Sequence, residues 1–231
     1  ELGYNKKVGA VNLGLHANGS LMRNRVTALG ITPYQTGAHI QSVQYELTRN
    51  QPGYAWNSFY GFKSLGIFQT QAEINNYATY TLGSPPVPGD LKFADINGDG
   101  VIDQKDQIVE PLSSIPQIVY GMSLGAAYKS FSIDILFQGQ AKAVRYFRAV
   151  SGRNQNFTIE DYTGRSTPDN ITNKPRAAEV YGSPQGIANT YYLSNTSFLR
   201  MKDLEIAYSI NSKGLKNYGI EGMRVYVNSF N

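Results

Sequence analysis

The sequence predicts an all-β, antiparallel fold, and three observations support this. Glycine (23), tyrosine (17) and phenylalanine (10) are abundant among the 231 residues, while only 16% are charged. Glycine weakens helices and aromatic side chains suit strands, so this composition is typical of turns and pleated surfaces. Several segments alternate apolar and polar residues with the two-residue period of strands. No run approaches the about 18 apolar residues of a membrane-spanning helix.

The composition also excludes several functional classes. Heptads and cysteines are absent, which excludes coiled coils, disulfide frameworks and cysteine-based zinc sites. The net charge is +4, but the lysines and arginines are scattered rather than clustered as nucleic-acid binding requires. We therefore expect no nucleic-acid partner. The chain opens without the charged and apolar regions of a signal peptide, which indicates an internal start.

A first strand is predicted near 8–19. Its apolar side carries Val11, Leu13, Leu15 and Ala17, and its polar side carries Asn12, Gly14, His16 and Asn18. Periodicity then stops over 20–116, a long segment rich in Gly, Pro, Asn and Tyr. Such a length is improbable as plain loop, so the segment either holds small elements or is a functional loop.

Alternation returns in two strands predicted near 117–129 and 131–142, separated by Lys129-Ser130 as a tight hairpin turn. Each arm has about the 9 to 11 residues that a tilted strand needs to cross a bilayer. A second long aperiodic segment covers 143–196, with prolines that would interrupt a sheet. Further strands are predicted near 198–210 and 223–231.

Alternation alone allows two all-β architectures. In a soluble sandwich the apolar face is a core, whereas in an outer-membrane barrel it meets lipid and the polar face meets a wet lumen. The connections alternate between short and very long, as in barrels with short periplasmic turns and long extracellular loops. Aromatic residues near the strand ends add weak support, because they suit an interfacial girdle as well as ordinary strands: Tyr120, Tyr128, Phe131, Tyr208 and Tyr226.

The segment from Asp95 to Asp106 has the spacing of a twelve-residue calcium loop, with glycine at its sixth position. The predicted ligands are Asp95, Asn97, Asp99, Val101 through its carbonyl, Asp103 through a water, and Asp106. Aspartate at the last position reaches the ion less well than glutamate, so we expect modest affinity for a structural Ca²⁺. The alternative is a turn stabilised by Asx hydrogen bonds without metal.

An aromatic stretch follows Pro52 and includes Tyr54, Trp56, Phe59 and Tyr60. Exposed, these rings could contact a ligand or a partner; the alternative is that they pack the long segment against itself. Catalytic chemistry has little support, since His16 and His39 have no nucleophile or acid at a recognisable motif spacing. We therefore predict that the protein is not an enzyme.

Four stretches together resemble the SusC/RagA-type TonB-dependent outer-membrane transporters. Gly61-Phe-Lys-Ser-Leu-Gly-Ile-Phe-Gln-Thr-Gln-Ala-Glu-Ile looks like that family's GIFQ segment, and Pro88-Gly-Asp through Asp106 looks like its NGDG loop. The hairpin from Tyr120 and the late strands from Ser197 are similar in order and spacing. Residues 153–176 show no family pattern.

The resemblance implies a segment of a 22-stranded transmembrane β-barrel, 1–231, lacking the plug domain. It implies nutrient import of glycan or peptide, an outer-membrane location, a SusD-like surface lipoprotein docked on the extracellular loops 20–116 and 143–196, and TonB acting through an absent N-terminal region. Two other classes remain open: a soluble secreted calcium-stabilised β-sandwich or carbohydrate-binding module, and a hydrolase supported only by scattered carboxylates.

On the barrel interpretation, one set of side chains faces lipid and another faces the lumen. The lipid-facing set is Leu13, Leu15, Leu124, Ile133, Ile135, Ile206 and Val225. The lumen-facing set is Asn12, His16, Ser123, Asp134, Asp203 and Glu205.

Overall fold

The computed structural model describes residues 1–37, 46–148, 158–178 and 182–231, which are mostly β-strand. The strands are β1 Leu2–Val8, β2 Val11–Leu21, β3 Gln35–Thr36, β4 Thr48–Asn50, β5 Ser58–Phe62, β6 Ser64–Ile67, β7 Thr79–Tyr80, β8 Leu91–Phe93, β9 Val101–Ile102, β10 Gln107–Ser113, β11 Ile118–Tyr128, β12 Phe131–Ala141, β13 Val144–Tyr146, β14 Leu193–Asn195, β15 Phe198–Ile210 and β16 Met223–Phe230. The helices are α1 Gln71–Asn75, α2 Ile159–Gly164 and α3 Lys213–Asn217, with 3₁₀ turns at Gln104–Asp106, Pro184–Gly186 and Thr190–Tyr192. Within these ranges, no helix has the length and apolar character that spanning a membrane demands.

The chain divides into two compact units. The first comprises Glu1–Met22, Pro116–Ala143 and Thr196–Asn231, and the second comprises Arg23–Ile115 and Val144–Asn195. The predicted all-β class is confirmed for the described residues. Strand pairing is antiparallel except between β7 and β9, which are parallel.

The first unit is one antiparallel sheet with the strand order β1-β2-β11-β12-β15-β16. The sheet is open, and β1 and β16 are its edges. Four of its strands are 11 to 13 residues long, about twice the usual length in soluble sheets.

The two ends of this sheet differ in their connections. At one end the links are short. Gly9-Ala10 and Lys129-Ser130 are two-residue turns, and the link from β15 to β16 contains the short helix α3. Both turns begin with a residue at positive φ, 61° at Gly9 and 51° at Lys129. At the other end Ile118 pairs with both Leu21 and Ala141, so the long connections leave and re-enter the sheet there.

A β-bulge interrupts β15. Leu136 pairs with Asp203, but the next residue, Phe137, pairs with Met201, so Lys202 has no partner in the ladder. An extra residue in one strand shifts the alternation of that strand by one position. Met201 therefore shares a face with Phe137, and Arg200 is placed on the opposite face beside Gln138.

Gly139 is buried in the sheet, and a side chain at this position would have no room. A Cβ would lie 2.4 Å from the ring of Tyr120 and 2.5 Å from the Phe198 carbonyl oxygen. Tyr120 covers this glycine and donates its hydroxyl proton to the same carbonyl oxygen at 3.1 Å. Aromatic side chains laid over strand glycines help fix the register of a sheet.

The second unit has its own apolar core. Its buried members are Phe62, Ile67, Leu82, Leu91, Phe93, Ile102 and Ile187, with a second cluster of Leu47, Phe59 and Ala188. The Phe62 and Phe93 rings stack at 5.0 Å. The Tyr80 hydroxyl accepts from the Phe93 amide at 2.7 Å, and burial raises the pKa of Tyr80 above its ordinary value. The aperiodic segments thus contain packed elements.

Gly61 allows two segments of this core to meet. The Phe62 amide donates to the Ala188 carbonyl oxygen at 2.8 Å, and a Cβ at Gly61 would lie 2.3 Å from that oxygen. Since backbone atoms cannot yield as a flexible side chain can, only glycine fits here.

A buried carboxylate, Asp90, joins segments distant in sequence. It is fully buried and accepts hydrogen bonds from Arg176 Nε at 2.6 Å and Nη2 at 3.2 Å, from Gln185 Nε2 at 2.6 Å, and from the Val87 amide at 2.9 Å. A bidentate guanidinium and further donors are what a buried charge needs to be stable.

The predicted strands correspond to five strands of the sheet, with differences at the start of the chain. The strand expected near 8–19 begins at Val11, and the preceding residues form β1. Lys6, which pairs with Leu13, interrupts the apolar alternation that would have predicted β1.

Asp90→Ala is expected to lower the free energy of unfolding of the second unit by about 3 kcal/mol, because Arg176 and Gln185 lose their shared acceptor. Hydrogen–deuterium exchange on the full-length protein should show faster exchange over 87–93 and 183–187. Asp169→Ala, at an exposed carboxylate, is the control. Equal exchange in the two variants would contradict this role of Asp90.

Candidate functional site

The most extensive functional feature is the two-faced sheet of the first unit. Directly paired residues of antiparallel strands point to the same face, so the register defines rows across the sheet. One row runs through Leu13, Ala126, Ile133, Ile206 and Val227, and the next through Tyr4, Leu15, Leu124, Ile135 and Leu204. We call the face that carries these rows the apolar face. It carries every residue of the set predicted to face lipid.

Among the described residues, much of the apolar face is exposed. Leu13, Leu124, Ile133, Ile206 and Val225 are between 36% and 53% exposed. A soluble sandwich would bury such residues in a core between two sheets. A contiguous apolar surface of this kind marks contact with a partner or a membrane.

The opposite face, here called the polar face, carries the set predicted to face the lumen. Its rows are His16, Ser123, Leu136 and Asp203, then Gly14, Gly125, Asp134, Glu205 and Asn228, then Asn12, Ala127, Ser132, Ala207 and Tyr226. Arg224 forms an ion pair with Glu205. Oxygen- and nitrogen-bearing side chains therefore concentrate on one side of the sheet.

Aromatic residues form a row on the apolar face at the end with short turns. Tyr128, Phe131 and Tyr208 are successive partners across β11, β12 and β15, and the Phe131 and Tyr208 rings lie 4.6 Å apart. In β16 it is Val225 that pairs with Tyr208 and continues this row. Tyr226 pairs with Ala207 and therefore lies on the polar face.

The loop from Asp95 to Asp106 is closed by hydrogen bonds from its backbone. Asp95 accepts from the Gly98 and Gly100 amides at 2.7 and 2.8 Å. Asp99 accepts from the Val101 amide, and Asp103 from the Lys105 amide. These are the Asx-type contacts that stabilise turns.

Asp106 anchors this loop from within. It is fully buried, and its carboxylate accepts from the amides of Ile96 at 2.8 Å and Asp103 at 2.9 Å. In the part of the chain that the structure describes, no three acidic or histidine side chains come together as a metal site. Calcium binding by this loop stays a prediction.

Of the four aromatic residues predicted to contact a ligand or partner, two are buried and two are accessible to solvent. Phe59 is 3% exposed, in the core beside Leu47, and stacks on Tyr146 at 5.8 Å. Tyr60 is 8% exposed, and the Arg49 guanidinium lies 3.4 Å from its ring centre. Trp56 is 49% exposed and Tyr54 half-buried. Their role in contacting a ligand or partner stays a prediction, and the accessible surface belongs to Tyr54 and Trp56.

One of the two histidines lies among the described residues. His16 is on the polar face, paired with Gly3 and Ser123, and His39 lies outside the described residues. The Asp90–Arg176–Gln185 centre was not predicted, since its members are up to 95 positions apart and no local motif connects them.

Comparison with known proteins decides the family. The chain is 32% identical over 183 residues to TonB-dependent receptor P26 of Formosa agariphila and 27% identical over 200 residues to TonB-dependent receptor P3 of the same organism. These matches cover 75% and 84% of the chain. The chain belongs to the TonB-dependent receptors and fits a segment of a SusC/RagA-type member. No protein-family model matches it.

Solved structures of related receptors share the fold. The RagAB peptide transporter superposes with a TM-score of 0.72 at 24% identity, covering 99% of the chain and 24% of the matched chain. The open-open state of the RagAB peptide importer gives a TM-score of 0.69. The chain spans 18% and 19% of the two curated TonB-dependent receptors. These relatives are named as receptors and transporters rather than enzymes, consistent with the predicted absence of catalysis.

In this receptor segment, Asp106→Ala should destabilise the loop over 95–106 by about 3 kcal/mol, because the amides of Ile96 and Asp103 lose their charged acceptor. Hydrogen–deuterium exchange of the loop amides measures the effect. Asp99→Ala removes an exposed carboxylate of the same loop, which water replaces, and should cost much less. A larger effect at Asp99 would contradict the anchoring role of Asp106.

Proposed function

We propose that this chain is part of an outer-membrane receptor that imports nutrients, either glycans or peptides, and that its six-stranded sheet is a sector of a transmembrane β-barrel. The observation that carries the proposal is the exposed apolar face opposite an ordered polar face. Lipid on one side and a wet lumen on the other satisfy both faces. Membership of the TonB-dependent receptors supports the outer-membrane location.

Strand dimensions support the spanning role. A tilted transmembrane strand needs about 9 to 11 residues, and β2, β11 and β12 each have 11. The aromatic row of Tyr128, Phe131 and Tyr208 would then lie at one membrane interface, where amphipathic rings are favoured.

The open edges of the sheet support a larger barrel. In lipid, unpaired backbone groups cost several kcal/mol each, so β1 and β16 require further strands beside them. We propose that other strands of the receptor supply these partners in the 22-stranded barrel implied by the family resemblance.

The long connections support an extracellular role for the second unit. They leave the sheet at the end opposite the short turns, which in barrels are periplasmic. We propose that the second unit forms the vestibule and the docking surface for a SusD-like lipoprotein, and that TonB drives import through a region outside this chain.

A structural Ca²⁺ at the loop from Asp95 to Asp106 is a separate proposal, supported by the spacing of its oxygen donors and by Gly98 and Gly100 at positive φ. Calorimetric titration of the full-length receptor with CaCl₂ should show millimolar binding that Asp95→Asn abolishes. A folded receptor that takes up no Ca²⁺ would exclude it.

Leu124→Arg should impair assembly of the receptor in the outer membrane, since an arginine facing lipid near mid-membrane costs about 2 to 4 kcal/mol. Ser123→Arg, one residue away on the polar face, should assemble normally. Outer-membrane fractionation and the heat-modifiable electrophoretic shift measure assembly. If the two variants assemble equally well, or if the receptor is absent from the outer membrane, the barrel proposal is wrong.

Trp56→Ala should weaken association with the surface lipoprotein without unfolding the second unit, because the indole is exposed and its amide, not its ring, is bonded to Asn24. Co-purification of the lipoprotein with the receptor is the measurement. Phe59→Ala is the contrasting variant, since loss of a buried phenylalanine costs about 3 to 5 kcal/mol of stability. Unchanged co-purification with Trp56→Ala would remove this residue from the docking surface.

A further inference from the structure

The second unit contains a groove of about 620 Å³ with a strongly cationic lining. Four cationic side chains line it against a single described carboxylate, that of Glu160: Arg148, Arg165, Lys174 and Arg176. Arg176 is already neutralised by Asp90. Among the described side chains of the groove, Arg165 and Lys174 outnumber the one carboxylate, and such an excess of positive charge concentrates anions in a concave site.

Arg165 and Lys174 keep their charges available. Arg165 donates to the Tyr162 carbonyl oxygen and lies 4.1 Å from the ring centre of Tyr162. Lys174 Nζ donates to the Glu160 carbonyl oxygen at 3.0 Å. Neither has a carboxylate partner among the described residues. Both contacts hold the side chain in place while leaving further N–H donors for a ligand.

The floor of the groove contains an unsatisfied acceptor. Gln185 is 2% exposed, and its Nε2 is committed to Asp90. Its Oε1 is buried without a hydrogen-bond donor in the described part of the chain. Since buried polar atoms are almost always paired, this oxygen indicates a donor from outside the described residues.

The walls are largely apolar. Ile159, Pro175 and Ala177 line the groove together with Tyr191 and Tyr192, whose rings meet at 85°. A ligand that fills the groove therefore presents apolar groups as well as negative charge.

We propose that this groove binds a free acidic oligopeptide. The proposal rests on the import function above and adds a charge selectivity to it. Carboxylates of the peptide pair with Arg165 and Lys174, its apolar side chains contact the walls, and a backbone N–H reaches Gln185 Oε1 after a small rotation of the amide. Guanidinium and ammonium groups recognise carboxylates by charge-assisted hydrogen bonds.

The lining favours a peptide over a saccharide. Sugar hydroxyls are donors as well as acceptors, so a saccharide site needs many acceptors in its walls. Here the described lining offers Glu160, Thr158, Gln185 and the two tyrosine hydroxyls as side-chain acceptors, and the rest is cationic or apolar.

Isothermal titration calorimetry on the purified full-length receptor tests the proposal with a glutamate-rich peptide, its glutamine analogue of equal length, and an oligogalacturonate. We expect the glutamate peptide to bind at least about tenfold more tightly than either of the others, with affinity falling as salt rises. Equal binding of the peptide and its glutamine analogue, or no peptide binding, overturns the proposal. Tighter binding of the oligogalacturonate overturns the assignment to peptides.

Variants connect binding to the groove. Arg165→Gln combined with Lys174→Gln should reduce binding of the glutamate peptide about tenfold, to the level of the glutamine analogue. Lys63→Gln, at an exposed lysine that is absent from the groove lining, should leave it unchanged. Lys174→Glu should abolish the preference for the glutamate peptide over its glutamine analogue, because the new carboxylate offsets the charge of Arg165. An unchanged preference in a folded Lys174→Glu receptor would also overturn the proposal.

Outer-membrane fractionation of the same preparations separates the two proposals. A receptor that assembles in the outer membrane but does not distinguish acidic from neutral peptides refutes the groove site alone. A receptor that does not assemble there refutes the proposed function itself.

Discussion

The pairing register of the six-stranded sheet is the constraint on which the rest of the structure depends. Side chains alternate between faces with a period of two, so a slip of one residue in any strand would transfer its leucines and isoleucines to the other side. The register instead aligns apolar residues in rows across strands that are far apart in sequence. Leu15, Leu124, Ile135 and Leu204 come from four strands and form one such row.

The bulge at Lys202 keeps the apolar and the charged residues of β15 on opposite faces of the sheet. Without it, strict alternation from Leu204 would place Lys202 and Arg200 among the apolar rows. The unpaired residue shifts the phase, so Met201 joins Phe137 and Arg200 joins Gln138. A charge on a lipid-facing position of a barrel costs about 2 to 4 kcal/mol at mid-membrane, which gives this irregularity a physical reason. The second unit is stabilised by its own apolar core and by the buried Asp90.

Most of the sheet could be predicted from the sequence, because its strands are long and their alternation is local. β1 was not predicted because Lys6 breaks that alternation. In the structure Lys6 pairs with Leu13, and β1 is part of the sheet. The internal structure of 23–115 and 144–195 could not be predicted, because it depends on contacts between distant residues such as Asp90 and Gln185, and its strands are too short to show a period. The aromatic stretch illustrates the same limit: Trp56 and Phe59 look alike in sequence, but one is exposed and the other is in the core.

The orientation of the sheet in the membrane is the central claim, and site-directed fluorescence tests it most directly. The chain has no cysteine, so Ile133→Cys and Ser132→Cys each add a single labelling site to this segment. Each variant carries one environment-sensitive probe in a receptor that is reconstituted in bilayers after any cysteine elsewhere in it has been replaced by serine. The account predicts that brominated lipids quench the probe at Ile133 and that a water-soluble quencher added to the lumen quenches the probe at Ser132. Quenching of both probes by the aqueous quencher, with no effect of brominated lipid at Ile133, would contradict it.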